Sequence, residues 1–142
     1  MARTGVRVSA IIIRKGKVLL IRRRKPGKEY WVFPSGGVED GETQEETLIR
    51  EVKEETNLNV LNYKEAFVAP YSLLGNTKHP FYHCEVGEGE PEIIGEEKDI
   101  NSDSDQYHLE WVELNRLASY NLIPPEAKTE MTKLASTLSG VK

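Results

Sequence analysis

Residues 50–55 read REVKEE: one arginine and three glutamates in six positions, separated only by Val52 and Lys53. Carboxylates this close repel one another and raise each other's pKa values unless a cation compensates. On a helix turning about 100° per residue, Glu54 and Glu55 fall at about −60° and +40° from Glu51, an arc of about 100° in all. Leu48, Ile49 and Val52 occupy the adjacent arc and are expected to bury against the protein body. Hard oxygen ligands without His or Cys suit Mg²⁺, Mn²⁺ or Ca²⁺ rather than zinc. Mg²⁺ takes one or two carboxylates together with substrate phosphates, so phosphoryl chemistry is one reading of the cluster. A solvated helix face, with Arg50 and Lys53 in ordinary surface pairs, is the other. Spacing alone leaves both open.

The surrounding pattern predicts the elements that would hold these groups. Residues 6–13 and 18–23 are rich in Val, Ile and Leu and read as a hairpin around Lys15-Gly16-Lys17. Residues 31–33 form a short strand stopped by Pro34 and a loop, Ser35-Gly36-Gly37. Thr43 with Glu46 three residues on is a capping box, and the helix it opens runs to about Thr56. Asn57 suits the left-handed turn at its end. Strands are predicted at 58–60, 63–68, 81–86 and 107–112, and a last helix from Pro125 to about Leu138. Between Gly87 and Gln106 lies a loop of 20 residues with eight acids and one lysine. Loops that long in a compact domain are usually functional or mobile. A mixed sheet with a few helices is an α+β or α/β arrangement.

The chain has 142 residues, suited to one domain over 1–142. Hydrophobic residues make up 38% and charged residues 30%, a globular balance. No apolar run approaches the roughly 20 residues that span a bilayer, and the N-terminus lacks a signal-peptide core. A cytoplasmic protein without membrane partners is the expectation. The single cysteine, Cys84, excludes an intrachain disulfide and reads as a buried, inert thiol. Residues 1–28 carry ten Lys or Arg and no acid, whereas the remainder carries nine basic and 23 acidic groups. That distribution fits a small anionic substrate gripped locally better than a nucleic-acid duplex.

The glutamates lie inside a larger frame, GGVEDGETQEETLIREVKEETNL at residues 36–58. This segment resembles the box of the Nudix hydrolase family: Gly, five residues, Glu, seven residues, then Arg-Glu-apolar-x-Glu-Glu-x-Gly-apolar. Gly36, Glu42, Arg50, Glu51, Val52, Glu54, Glu55 and Leu58 match, and Asn57 replaces the second glycine. WVFPSGGVE resembles the family's usual approach to the box, with Ser35 where glycine is more common. The resemblance implies an α/β/α sandwich around a mixed sheet and Mg²⁺- or Mn²⁺-dependent hydrolysis of a nucleoside diphosphate linked to another group. It makes Glu51, Glu54 and Glu55 metal ligands, with the Gly36 carbonyl as a further one. Arg50 would hold Glu51, Glu42 would act through a second layer of contacts, and a carboxylate would deprotonate the attacking water. Dimers are frequent in the family, so a homodimer is within what it implies.

Several further residues are candidates. By the same resemblance Arg22 reaches the substrate phosphates, an exposed basic strand end being the competing reading. Trp31, Tyr71, Phe81 and Tyr82 have faces that could stack on a base, but as strand aromatics they read as core, except Tyr71, which follows a proline in a loop and is the choice for substrate binding. Glu97, in the acidic loop, is nominated as a further metal carboxylate against a merely solvated loop. His79, His83 and His108 have no ligand spacing and read as surface or strand histidines. No GxxxxGK[ST] or GxSxG motif is present. The reading is a (d)NTP pyrophosphohydrolase, with an ADP-ribose or sugar-nucleotide pyrophosphatase as alternative. The reading of another class is a non-catalytic nucleotide-binding module.

Overall fold

The computed structural model describes residues 3–69, 78–92, 106–123 and 125–140. Along the chain run β1 (Arg3–Ile11), β2 (Ile13–Arg14), β3 (Lys17–Lys25), β4 (Lys28–Val32), β5 (Ser35–Glu39), α1 (Gln44–Thr56), β6 (Val60–Ala69) and β7 (His79–Val86). After them come β8 (Gln106–Glu113), a 3₁₀ helix (Leu114–Ser119), β9 (Leu122–Ile123) and α2 (Glu126–Gly140). One sheet has the order β5-β1-β7-β6, with β1 parallel to β7 and the other neighbours antiparallel. The second has the order β2-β3-β4-β9, with β8 on the other edge of β3. The fold is mixed α+β.

Strand β1 shows why the N-terminal sequence is apolar without alternation. Val8, Ala10 and Ile12 pack with Leu48 and Val52 of α1. Ile11 lies in a second core with Phe33, Phe81 and Met131, the last from α2. A strand covered on both faces has no polar side to alternate. The same continuity misleads about pairing. Residues 6–13 do not form one arm of a hairpin with 18–23, because β1 belongs to the first sheet. Only β2 pairs with β3, at Ile13↔Val18 and Arg14↔Lys17, around a two-residue turn in which Lys15 and Gly16 both take positive φ.

Three other expectations change. Ser35-Gly36-Gly37 is not a loop but the start of β5, paired with β1 from Ser9↔Ser35 to Arg7↔Gly37. The predicted strands at 58–60 and 63–68 are one strand, β6, whose register shifts near Leu61 and Ala66. Ile49, expected to be buried, is 45% exposed, while Thr47 and Thr56 on α1 are fully buried. The 3₁₀ helix and β9 were not predicted. Among the described residues no helix is long and apolar enough to cross a membrane.

Helix α1 begins and ends where its sequence dictates. The Thr43 side chain accepts from the Glu46 amide and the Glu46 side chain from the Thr43 amide, at 3.0 and 2.9 Å. At the other end Asn57 sits at φ 59° and ψ 20°, its N–H donating to the Lys53 carbonyl. A side chain other than Gly or Asn is strained there, so Asn57→Ala is expected to lose about 1 kcal/mol, and Asn57→Gly to lose nothing. Urea unfolding of the two variants measures this, and equal midpoints for Ala and Gly would contradict it.

Candidate functional site

The first turn of α1 and the segment before it place a carboxylate, Glu42, opposite the middle of the helix. Arg50 grips it with two parallel hydrogen bonds, Nε to Oε2 at 2.8 Å and Nη2 to Oε1 at 3.0 Å. Thr47, buried beneath, donates its hydroxyl to the same Oε1 at 2.7 Å, and the Glu39 amide donates at 3.3 Å. The Arg50 hydrogen bonds first, and Thr47 second, hold the Glu42 carboxyl down at about 2. Arg50 is raised above its ordinary value, chiefly by the same hydrogen bonds. Planar fork-to-carboxylate pairs of this kind fix orientation as well as charge.

The third nitrogen of Arg50 reaches Glu51, Nη1 to Oε2 at 2.7 Å, with Glu54 at 3.8 Å and Glu39 at 3.9 Å. The three glutamates of the helix are therefore not equivalent. Glu54 is the most open, its side chain 44% exposed. Glu55 is 7% exposed and accepts a hydrogen bond from the Ser35 amide at 3.0 Å. Glu51 is also largely covered, and burial is the main cause that pushes its carboxyl up. A hydrogen bond with Glu55 and the charge of Arg50 oppose that shift.

Strand β5 closes the site from the other side. Gly36 lies against Glu51 so closely that a Cβ built there would overlap the Glu51 carboxyl group. This is why glycine stands inside a strand, where a side chain would ordinarily be preferred. Among the described residues no three His, Cys, Asp or Glu side chains converge as a ready metal cage. Glu51 and Glu55 nevertheless form a buried pair of hard donors, one of them disfavoured in its charged form by burial, which a divalent cation would reverse. Two carboxylates and a glycine-floored approach fit Mg²⁺ or Mn²⁺, ions that complete their shells with water and substrate oxygens.

The other candidates lie on other elements or outside the described residues. Arg22 lies in the second sheet, opposite Trp31 and His108, with Glu29 at 3.9 Å. Tyr71 and Glu97 lie outside the described residues. Trp31 is set edge-on to Tyr120, and its indole N–H points to Glu110 at 3.4 Å. Phe81 and Tyr82 are core residues, not open stacking faces. Burial pushes the Cys84 thiol up to about 12, in keeping with an inert group. His79 is buried on β7, its Nε2 2.6 Å from the Ser9 hydroxyl. Burial, then the charge of Arg7, brings it down to about 4, so it is neutral at pH 7. The sequence reading overlooked Ser35 as the residue whose amide holds Glu55, and Arg7, whose Nη2 donates to the Ser35 hydroxyl at 3.0 Å. The signal for Arg7 was a single charged residue between Val6 and Val8 in a strand covered on both faces.

Comparison with known proteins agrees with this geometry. The NUDIX domain profile matches residues 3–133, and the chain belongs to the NUDIX family. It is similar to an ADP-ribose pyrophosphatase of Methanocaldococcus jannaschii, 50% identical over 55 residues that cover 38% of this chain and 32% of that protein. It is also similar to an RNA pyrophosphohydrolase of Caulobacter vibrioides, 31% identical over 109 residues, 68% of this chain and 60% of the other. The crystal structure of a MutT NUDIX hydrolase from Burkholderia pseudomallei superposes with a TM-score of 0.61 at 28% identity, over 78% of this chain and 83% of that one. The matches span about one third to three fifths of the length of these two curated relatives.

The Gly36–Glu51 contact makes a direct prediction. Gly36→Ala must displace either β5 or the Glu51 side chain, an overpacking that costs about 1–3 kcal/mol. Chemical denaturation in metal-free buffer checks it. Wild-type stability in the variant would mean that Glu51 can swing aside freely.

Proposed function

We propose that this chain is a single-domain, cytoplasmic, divalent-metal-dependent nucleotide pyrophosphohydrolase. Its substrate is a nucleoside diphosphate linked to another group, a (d)NTP that releases NMP and pyrophosphate. The observation that carries the reading is the clamp of Arg50 on Glu42 and Glu51, with Glu55 fixed on β5. It holds several carboxylates together at a cost that only a cation would offset. Mg²⁺ or Mn²⁺ at this place supplies positive charge to the diphosphate oxygens and makes water more acidic.

The chain's own residues divide the remaining work. Glu51 and Glu55 present oxygens from the rigid helix, with the Gly36 carbonyl beside them, and Glu54 completes the ligand set. Arg50 fixes the Glu51 carboxylate, and Glu42 fixes Arg50. Glu54, the carboxylate most open to solvent, is suited to take the proton of the attacking water, since acidified water needs only a base of ordinary strength. Water attacks phosphorus, the anhydride bond breaks, and two phosphorylated products leave.

The likeness to an ADP-ribose pyrophosphatase, 50% identical across 55 residues, favours a second substrate reading, ADP-ribose or a sugar nucleotide. Product chromatography after incubation with Mg²⁺ and dNTPs, oxidised dNTPs, ADP-ribose, NADH or dinucleoside polyphosphates separates these. Nucleoside monophosphate with pyrophosphate is the expected result, and a Glu54→Gln variant is expected to be slower by at least about 100-fold. AMP with ribose phosphate would move the substrate to ADP-ribose. No metal-dependent product from any compound would make the protein a nucleotide-binding module instead.

A further inference from the structure

Arg7 differs from the other half-buried arginines in what it touches. Arg50 has Glu42 and Glu51, whereas Arg22 has Glu29 only at 3.9 Å, with no hydrogen bond at its Nε among the described residues. Arg14 donates to the carbonyls of Gly87 and Gly89, and Arg23 lies over the ring of Tyr107 at 3.6 Å. Arg7 has one side-chain hydrogen bond among the described residues, to the neutral hydroxyl of Ser35, and no carboxylate there at ion-pair distance. A guanidinium carries five donors and cannot lose its charge inside a protein. Among the described residues most of that capacity is uncommitted.

Its position is not arbitrary. On β1, Arg7 stands opposite Gly37, next to the pair Val8↔Gly36 and two residues from Ser9↔Ser35. Ser35 joins it to the carboxylate site, because the Ser35 hydroxyl accepts from Arg7 while the Ser35 amide donates to Glu55. Close to it the Ser9 hydroxyl and the His79 ring form a buried, hydrogen-bonded pair without a carboxylate. A diphosphate approaching Glu51 and Glu55 brings further negative charge to a place already acidic. Arg50 is occupied by the carboxylates themselves.

We propose that Arg7 is a substrate-binding residue, whose guanidinium contacts a phosphate oxygen of the nucleotide at the β1–β5 edge of the carboxylate site. Arginine suits this role because its planar fork matches two phosphate oxygens at once. Ser35 sets its direction through one donor and leaves the others for the ligand. The proposal rests on the pyrophosphohydrolase reading and adds to it a phosphate contact from a strand.

Isothermal titration with the non-hydrolysable α,β-methylene-ADP in Mg²⁺ tests it on wild type, Arg7→Gln and Arg7→Lys. Mn²⁺ affinity without nucleotide, read by electron paramagnetic resonance, is measured beside it. Arg7→Gln is expected to weaken binding of the analogue by about tenfold or more, the loss of a charged hydrogen bond. Arg7→Lys, the variant that best preserves the fold, should recover part of the affinity, and Mn²⁺ affinity should stay within about twofold in both variants. Unchanged affinity of Arg7→Gln for the analogue would overturn the proposal. An equal fall in Mn²⁺ affinity would overturn it too, making Arg7 a positioning residue for Ser35 and Glu55. If wild type neither binds the analogue nor turns over any nucleotide, the pyrophosphohydrolase reading fails first and the contact falls with it.

Discussion

One guanidinium holds the site together. Arg50 engages Glu42 through two hydrogen bonds and Glu51 through a third, with Glu39 and Glu54 just beyond. Without it four carboxylates would share a small volume with no internal cation. The low value of the Glu42 carboxyl shows where the charge is used: the pair stays ionised throughout the physiological range. Arg50 reaches only one oxygen of Glu51, and Glu55 lies further in, held by the Ser35 amide. Burial raises Glu51, so in the absence of another cation the site is electrostatically incomplete. That residual cost is the physical reason to expect a divalent ion.

The scaffold is arranged to keep this frame rigid. Leu48 and Val52 anchor α1 on the face of β1 formed by Val8 and Ala10. The capping box fixes the start of the helix and Asn57 its end, so the glutamates stand at set heights along it. Strand β5 supplies a wall without a side chain at Gly36 and an amide donor at Ser35. The chain leaving β7 is tied to the same helix, since the Glu92 amide donates to the Thr56 carbonyl and the Gly87 amide to Asn59.

Much of this was legible in the sequence, for local reasons. Capping boxes and left-handed turns are written in a few adjacent residues, and α1 begins and ends where they put it. The clustering of Glu51, Glu54 and Glu55 follows from helical period. What could not be read is set by partners distant in sequence. Glycines usually break strands, so β5 looked like a loop until β1 lay beside it and Glu51 explained the missing side chain. An unbroken apolar run does not say which sheet each half joins, so the division between β1 and β2 was hidden. Ile49 shares the buried arc by angle, yet it stays 45% exposed. Arg7 was not singled out, because its link to Glu55 through Ser35 depends on the tertiary pairing of β1 with β5.

The central claim is that Glu51 and Glu55, framed by Arg50, complete themselves with a divalent cation. Thermal unfolding of wild type and Glu51→Gln against increasing Mg²⁺ tests it most directly, because it needs no substrate. A specific site stabilises the folded state by mass action, about 2.7 kcal/mol at 100 times the dissociation constant. The account predicts a saturable rise in Tm for wild type that Glu51→Gln largely loses. The same rise in both proteins, or none in wild type, would contradict it.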